Sequence, residues 1–275
     1  MRETISRFDY IDAARSLGQQ FAGLVRDVDS PDARLHTRAG WSLADCVGHV
    51  ACEPSRYLAM AHGDDEWPCR PSDLTDIFAK QIANLPTRDT RLLADKFLVD
   101  LDHLLTEVTH YGARVPMMRI SGQYRVRADA ALGILIGELA IRGRDIARAL
   151  GAPWTIEPHI APLVTRGGHQ LLAPWSEGNV CGDHSATYEI RIRQTGERII
   201  YEFTEGRLRI NPAEHRRPDV YTSIDPACAV LAAHGRLSPT WAILTGRAFA
   251  WGARPWLATG LGQRLAVARQ SAAQR

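Results

Sequence analysis

The sequence predicts an α+β chain of two domains, an up-down helical bundle over 1–155 and a small α+β domain with a linking helix over 156–275. Three observations carry this. Apolar residues recur at helical spacing through about the first 150 positions. The period changes to alternation at Ala186, and Gly-bearing turns then separate short alternating runs. A chain of 275 residues, 45% of them hydrophobic, is long enough for two domains of roughly 100–150 residues, each with its own core.

The elements follow in order. Phe8, Ile11, Ala14, Leu17, Phe21 and Leu24 place a helix over 7–27, and Asp29-Ser-Pro-Asp32 breaks it. A second helix opens at Trp41-Ser-Leu-Ala-Asp45, is capped near Ser42 and runs to about Met60. His62 to Pro68 is a loop, and 72–85 a short helix. Leu93, Phe97, Leu101, Leu104, Leu105 and Val108 share one face of a helix over 88–110. Residues 112–126 show no period. Ala128 to Leu150 is the most apolar helix, stopped by Gly151 and Pro153.

A linking helix over 158–174 leads to a boundary placed between about 155 and 185, around Pro174 to Asn179. Alternation then marks strands at 186–193, 198–204, 207–210 and 219–224, with turns at Gly196 and Gly206. Pro226–His234 and Pro239–Leu244 are helical, 247–252 is a strand, and Trp256–Ala268 closes as a helix. Trp241, Trp251 and Trp256 are read as core, or else as an aromatic wall facing a ligand.

Composition excludes several classes. A net charge of +2 makes no electrostatic case for nucleic acid. No apolar run reaches the roughly 18 residues of a membrane span, so no membrane association is expected. The first residues, Met1 to Arg7, lack the apolar core of a secretion signal, so a cytoplasmic location is expected. Five cysteines without a CxxC pair point to free thiols. The expected assembly is a monomer or homodimer.

Two motifs carry a family resemblance. The first is Trp41-Ser-Leu-Ala-Asp45-Cys-Val-Gly-His49. The second is Gly137-Glu138-Leu-Ala-Ile-Arg142-Gly-Arg-Asp145-Ile-Ala-Arg-Ala-Leu-Gly151. Together they resemble the mycothiol-dependent maleylpyruvate isomerase family, with its DinB-like bundle. The stretch Gly235 to Arg247 resembles the sterol-carrier-like half attached to many members. The resemblance implies mycothiol as a cofactor, a small electrophilic substrate and a divalent metal, usually zinc. It also suits an actinobacterial source, because Lys80 and Lys96 are the only lysines among 33 basic residues, as GC-rich coding produces.

By that resemblance His49 and Glu138 are metal ligands, and Asp145 orients or charge-balances the site. The third ligand position, four residues after Glu138, holds Arg142 in place of histidine. Arginine has no lone pair for a metal, and at i+4 it can pair with the Glu138 carboxylate. Three arrangements follow. The pair replaces the metal, Glu53 substitutes as a ligand, or Arg142 points away and leaves two ligands.

The residues leave two readings open. In one, His49 is a core histidine and Glu138–Arg142 a structural ion pair. In the other, a cleft persists in which His49 is a general base, Arg142 an anchor for a substrate carboxylate, and Glu138 and Asp145 line the substrate. From the second domain, Arg247 is the candidate for a catalytic arginine that the family is believed to use, and Arg236 and Trp241 are candidate substrate contacts. Cys46 is either a small apolar filler or a nucleophile beside His49. His103, His110, Arg144 and Arg148 are expected on solvated faces.

The function so implied is mycothiol-dependent transfer, exchange or isomerisation of a small electrophile between the domains. The alternative is metal-free binding, or cofactor-independent tailoring, of a small molecule.

Overall fold

The computed structural model describes residues 5–35, 40–65, 73–120, 124–175 and 182–271. The fold is α+β. The described residues divide into two compact units, one over 5–155 and one over 156–271.

The first unit is built on four long helices and one short one. Helix α1 (Arg7–Val25) starts at a capping box in which Ser6 and Asp9 satisfy each other's backbone N–H groups. Helix α2 (Leu43–His62) starts the same way at Ser42 and Asp45 and stops at Gly63, whose φ of 88° suits glycine. The short α3 is Asp73–Ala83. Helix α4 (Thr90–His110) is capped by Asp89, and α5 (Ala128–Leu150) ends at Gly151, with φ 66°. Helix α2 packs on α4 and α5, and α1 packs on the same two. The six α4 residues expected on one face are all buried.

The stretch 112–126, expected to be irregular, holds most of two paired strands. Strands β1 (Met117–Ile120) and β2 (Tyr124–Arg127) pair antiparallel, with Met118 opposite Val126. Those two are buried, and their neighbours are Arg119, Arg125 and Arg127. Strands of four residues are too short for their alternation to stand out from the chain.

The C-terminal end of α5 is fixed by a close approach. Trp154 donates from Nε1 to the Ala140 carbonyl at 3.0 Å, and its ring lies where a Cβ on Gly143 would be, at 2.1 Å. Gly143→Ala is therefore expected to displace the ring and cost about 1–3 kcal/mol in urea unfolding. Unchanged stability would show that the ring moves aside freely.

The second unit begins with α6 (Ile160–Trp175), followed by a five-stranded sheet. Its strands are β3 (Ala186–Ile192), β4 (Arg198–Thr204), β5 (Arg207–Ile210), β6 (Val220–Ile224) and β7 (Ala248–Trp251). The order is β5-β4-β3-β6-β7, with β3 and β6 parallel and the other pairs antiparallel. Tyr188, Tyr201 and Val220 lie side by side in register and are buried. Helices α7 (Pro226–Ala233), α8 (Pro239–Leu244) and α9 (Ala258–Ser271) complete it. A 3-10 turn, Pro255–Leu257, precedes α9 where a continuous helix from Trp256 was expected. Part of the expected boundary stretch, 176–179, lies outside the described residues.

The tryptophans correct the core reading. Trp241 is 46% and Trp256 66% exposed. Trp251 stacks on Tyr221 at 5.6 Å with Arg191 above both rings. Register puts this group one residue out of phase with Tyr188 and Val220, on the opposite face of the sheet from the core.

Candidate functional site in the helical unit

The site grows from the two motif helices. On α2 the capping box positions everything downstream. Ser42 Oγ accepts from the Asp45 N–H at 3.1 Å, and the Asp45 carboxylate accepts from the Ser42 N–H at 2.9 Å. Arg88 clamps both, donating to Asp45 Oδ1 at 2.8 Å and to Ser42 Oγ at 2.9 Å. The aspartate of the first motif is thus a helix cap.

Burial alone would raise the Asp45 pKa, but the hydrogen bonds from Ser42 and Arg88 outweigh it and hold it below the ordinary 3.8. A carboxyl lowered in the folded state adds stability that is fully present above about 3.8 and is lost as pH falls through the lowered value. Asp45→Ala is expected to cost about 1–2 kcal/mol at neutral pH. The difference from the parent should shrink in acid, as measured by unfolding at several pH values.

His49 lies one turn further along α2 and is fully buried. Trp41 and Phe78 pack against it, with ring centroids 5.0 and 4.2 Å away. Phe78 and Gln81 both come from α3. That helix is seated by Leu85, whose side chain fills the space a Cβ on Gly48 would occupy. His49 Nδ1 lies 3.4 Å from Gln81 Oε1. Nε2 is buried, has no hydrogen-bond partner and lies 3.8 Å from Glu138 Oε2.

The other wall comes from α5. Arg142 Nε donates to the same Glu138 oxygen at 3.0 Å, and its guanidinium lies over the Trp41 ring at 4.8 Å. Burial works against the Arg142 charge, but Glu138, Cys46 and Asp145 more than offset it, and its pKa rises. The side chains of Glu138 and Arg142 keep 24% and 12% exposure, so the pair borders solvent while the imidazole does not.

Imidazole, carboxylate and guanidinium therefore come together. This excludes the arrangement in which Arg142 points away. The Glu53 alternative also fails on geometry. Glu53 Oε1 lies 3.9 Å from His49 Nδ1, so it faces the other ring nitrogen from Glu138. A metal on Nε2 would have His49 and Glu138 and then a guanidinium beside the same oxygen, and tetrahedral zinc needs a third protein donor. Among the described residues no group of three or more His, Cys, Asp or Glu side chains could hold a metal. The residues present do not fit the family's divalent ion.

The remaining expected residues are distributed as follows. Cys46 is fully buried. His103, His110 and Arg148 are exposed, and Arg144 is half-buried. Arg236 and Arg247 belong to the second unit. Arg236 is half-buried and its N–H bonds to the Leu231 carbonyl. Arg247 lies over the Trp241 ring at 5.4 Å and 3.7 Å from Asp225, which caps α7. Trp41, Phe78 and Gln81 were missed as site residues. Trp41 stands in the first motif, but Phe78 and Gln81 carried no signal beyond i,i+3 spacing on a short helix.

Two buried motif helices converging on an imidazole and a carboxylate, in a chain that continues into an α+β unit, define a class of fold. Residues 14–147 match the family model of the mycothiol maleylpyruvate isomerase N-terminal domain. The crystal structure of the mycothiol-dependent maleylpyruvate isomerase is similar, with a TM-score of 0.53 and 17% identity over 86% of this chain and 91% of that one. A histidine-to-alanine variant of that enzyme gives a TM-score of 0.53 and 17% identity over 85% and 91%. The helical unit thus carries, over residues 14–147, the N-terminal domain of the mycothiol maleylpyruvate isomerase family. A 120-residue stretch is also 28% identical to the 4-hydroxy-tetrahydrodipicolinate reductases of Brucella melitensis and Brucella abortus. It covers 40% of this chain and only 42% of those relatives. Among the described residues no helix is long and apolar enough to cross a membrane.

Proposed function

We propose that the chain is a mycothiol-dependent enzyme acting on a small electrophilic metabolite, by thiol addition, exchange or isomerisation, at the His49–Glu138–Arg142 site. One observation supports this above the rest: His49 Nε2 is buried with no hydrogen-bond partner, 3.8 Å from the carboxylate of an ion pair that borders solvent. A buried polar atom left without a hydrogen bond is costly, and a ligand that supplies the missing bond would offset the cost.

A bound thiol supplies a nucleophilic sulfur for an electrophilic carbon. His49 Nε2 takes the sulfhydryl proton and returns it when the carbon–sulfur bond breaks. The Trp41 and Phe78 rings keep water from the imidazole. Arg142 offers positive charge to the developing anion, or to a substrate carboxylate. Glu138 holds Arg142 in place, and Asp145 supports its charge. Within the second unit, which is proposed to be sterol-carrier-like, Arg247 is proposed as a catalytic arginine and Arg236 and Trp241 as substrate-binding residues.

The test follows loss of maleylpyruvate and related cis-alkenoic acids with and without mycothiol. Thiol-dependent turnover is expected, together with a mycothiol-induced rise in Tm. A second reading, a metal-free binder of small molecules, is favoured by the Glu138–Arg142 pair alone. No turnover and no stabilisation by mycothiol, with stabilisation by small organic acids, would establish it instead.

A further inference from the structure

The same three side chains bear on how the site does without a divalent ion. His49 Nε2 and Glu138 Oε2 are 3.8 Å apart. Two donors each about 2.1 Å from one zinc ion lie only slightly closer than that. Residue 142 is one turn beyond Glu138 on the same helix face, and its Nε already reaches Glu138 Oε2 at 3.0 Å. A ligating side chain at 142 would thus complete three donors and leave the fourth position open. The residue present is instead a cation. It is mostly withdrawn from water, stacked on Trp41 and tied to one of the two donors.

We infer that the helical unit holds a latent zinc site, closed by Arg142, whose guanidinium is the resident cation of a centre that works without metal. Removing the guanidinium and supplying an imidazole in one substitution opens it. The inference concerns the same site as the proposed function, and rests on that reading only for where the site is. Zinc binding is read without thiol or substrate, so the two fail separately.

The experiment is zinc titration of chelator-treated full-length protein by calorimetry, with cobalt(II) absorption reporting ligand geometry. Wild type and H49A are expected to bind zinc equally weakly. R142H is expected to bind at least about a hundredfold more tightly, since even an outer-shell partner of a zinc ligand is worth 10–100-fold. The gain should disappear in R142H with H49A. R142C, which offers a smaller ligating side chain, repeats the test if R142H does not fold. Tight zinc in wild type that depends on His49 would overturn the inference. So would a folded R142H or R142C with no gain.

Discussion

Replacing His49 by alanine is expected to lower mycothiol-dependent turnover by about a hundredfold to ten-thousandfold, the range for removing a positioned proton acceptor. The imidazole Nε2 is buried, has no hydrogen-bond partner and lies 3.8 Å from the Glu138 carboxylate. The other ring nitrogen faces Gln81 and Glu53, which hold the ring in place. The loss should fall mainly on kcat, because the proton moves in the reaction and not on binding. His49→Asn preserves a polar side chain without a basic nitrogen and should be nearly as inactive. Both variants should keep the far-ultraviolet circular dichroism of the parent. Activity within a few-fold of wild type in a folded His49→Ala protein would remove the imidazole from the mechanism.

The largest effect on stability is expected from Phe97→Ala, about 3–5 kcal/mol. Phe97 is fully buried on α4 and meets Phe21 of α1 edge-on, with ring centroids 5.6 Å apart. Its ring, with Leu101, packs against Gly18, where a Cβ would meet Leu101 at 2.4 Å. The helices are therefore held too close to collapse further into the void. Helix α4 also packs on α2, so the His49 helix should loosen with it. Denaturant unfolding measures the loss. A cost below about 1 kcal/mol would mean that the α1–α4 contact carries little of the stability.

The helices of the first unit were legible because their cues are local. Ser42 with Asp45, the α4 stripe from Leu93 to Val108, and Gly151 each mark an edge or a face within a few residues. The pair of strands β1 and β2 was not, because four residues each give too short a run to show a period, and their pairing is a tertiary contact. Trp251, on β7, misleads for a related reason. Composition says that tryptophan prefers burial, but strand register decides which face it takes, and register is a long-range property. At the site, Arg142 as partner of Glu138 followed from i,i+4 spacing alone. That Glu53 sits on the wrong side of the imidazole did not, since both carboxylates are near His49 and only the ring's orientation tells them apart. Gln81 reaches His49 from α3, so its contribution needed a tertiary contact that begins at Gly48 and Leu85.

The most direct test of the central claim is the rate at which chelator-treated, metal-free protein consumes maleylpyruvate or a related electrophile, with and without mycothiol. The account predicts turnover that requires the thiol and is indifferent to the chelator. Turnover that needs no thiol, or that returns only when zinc is restored, would contradict it.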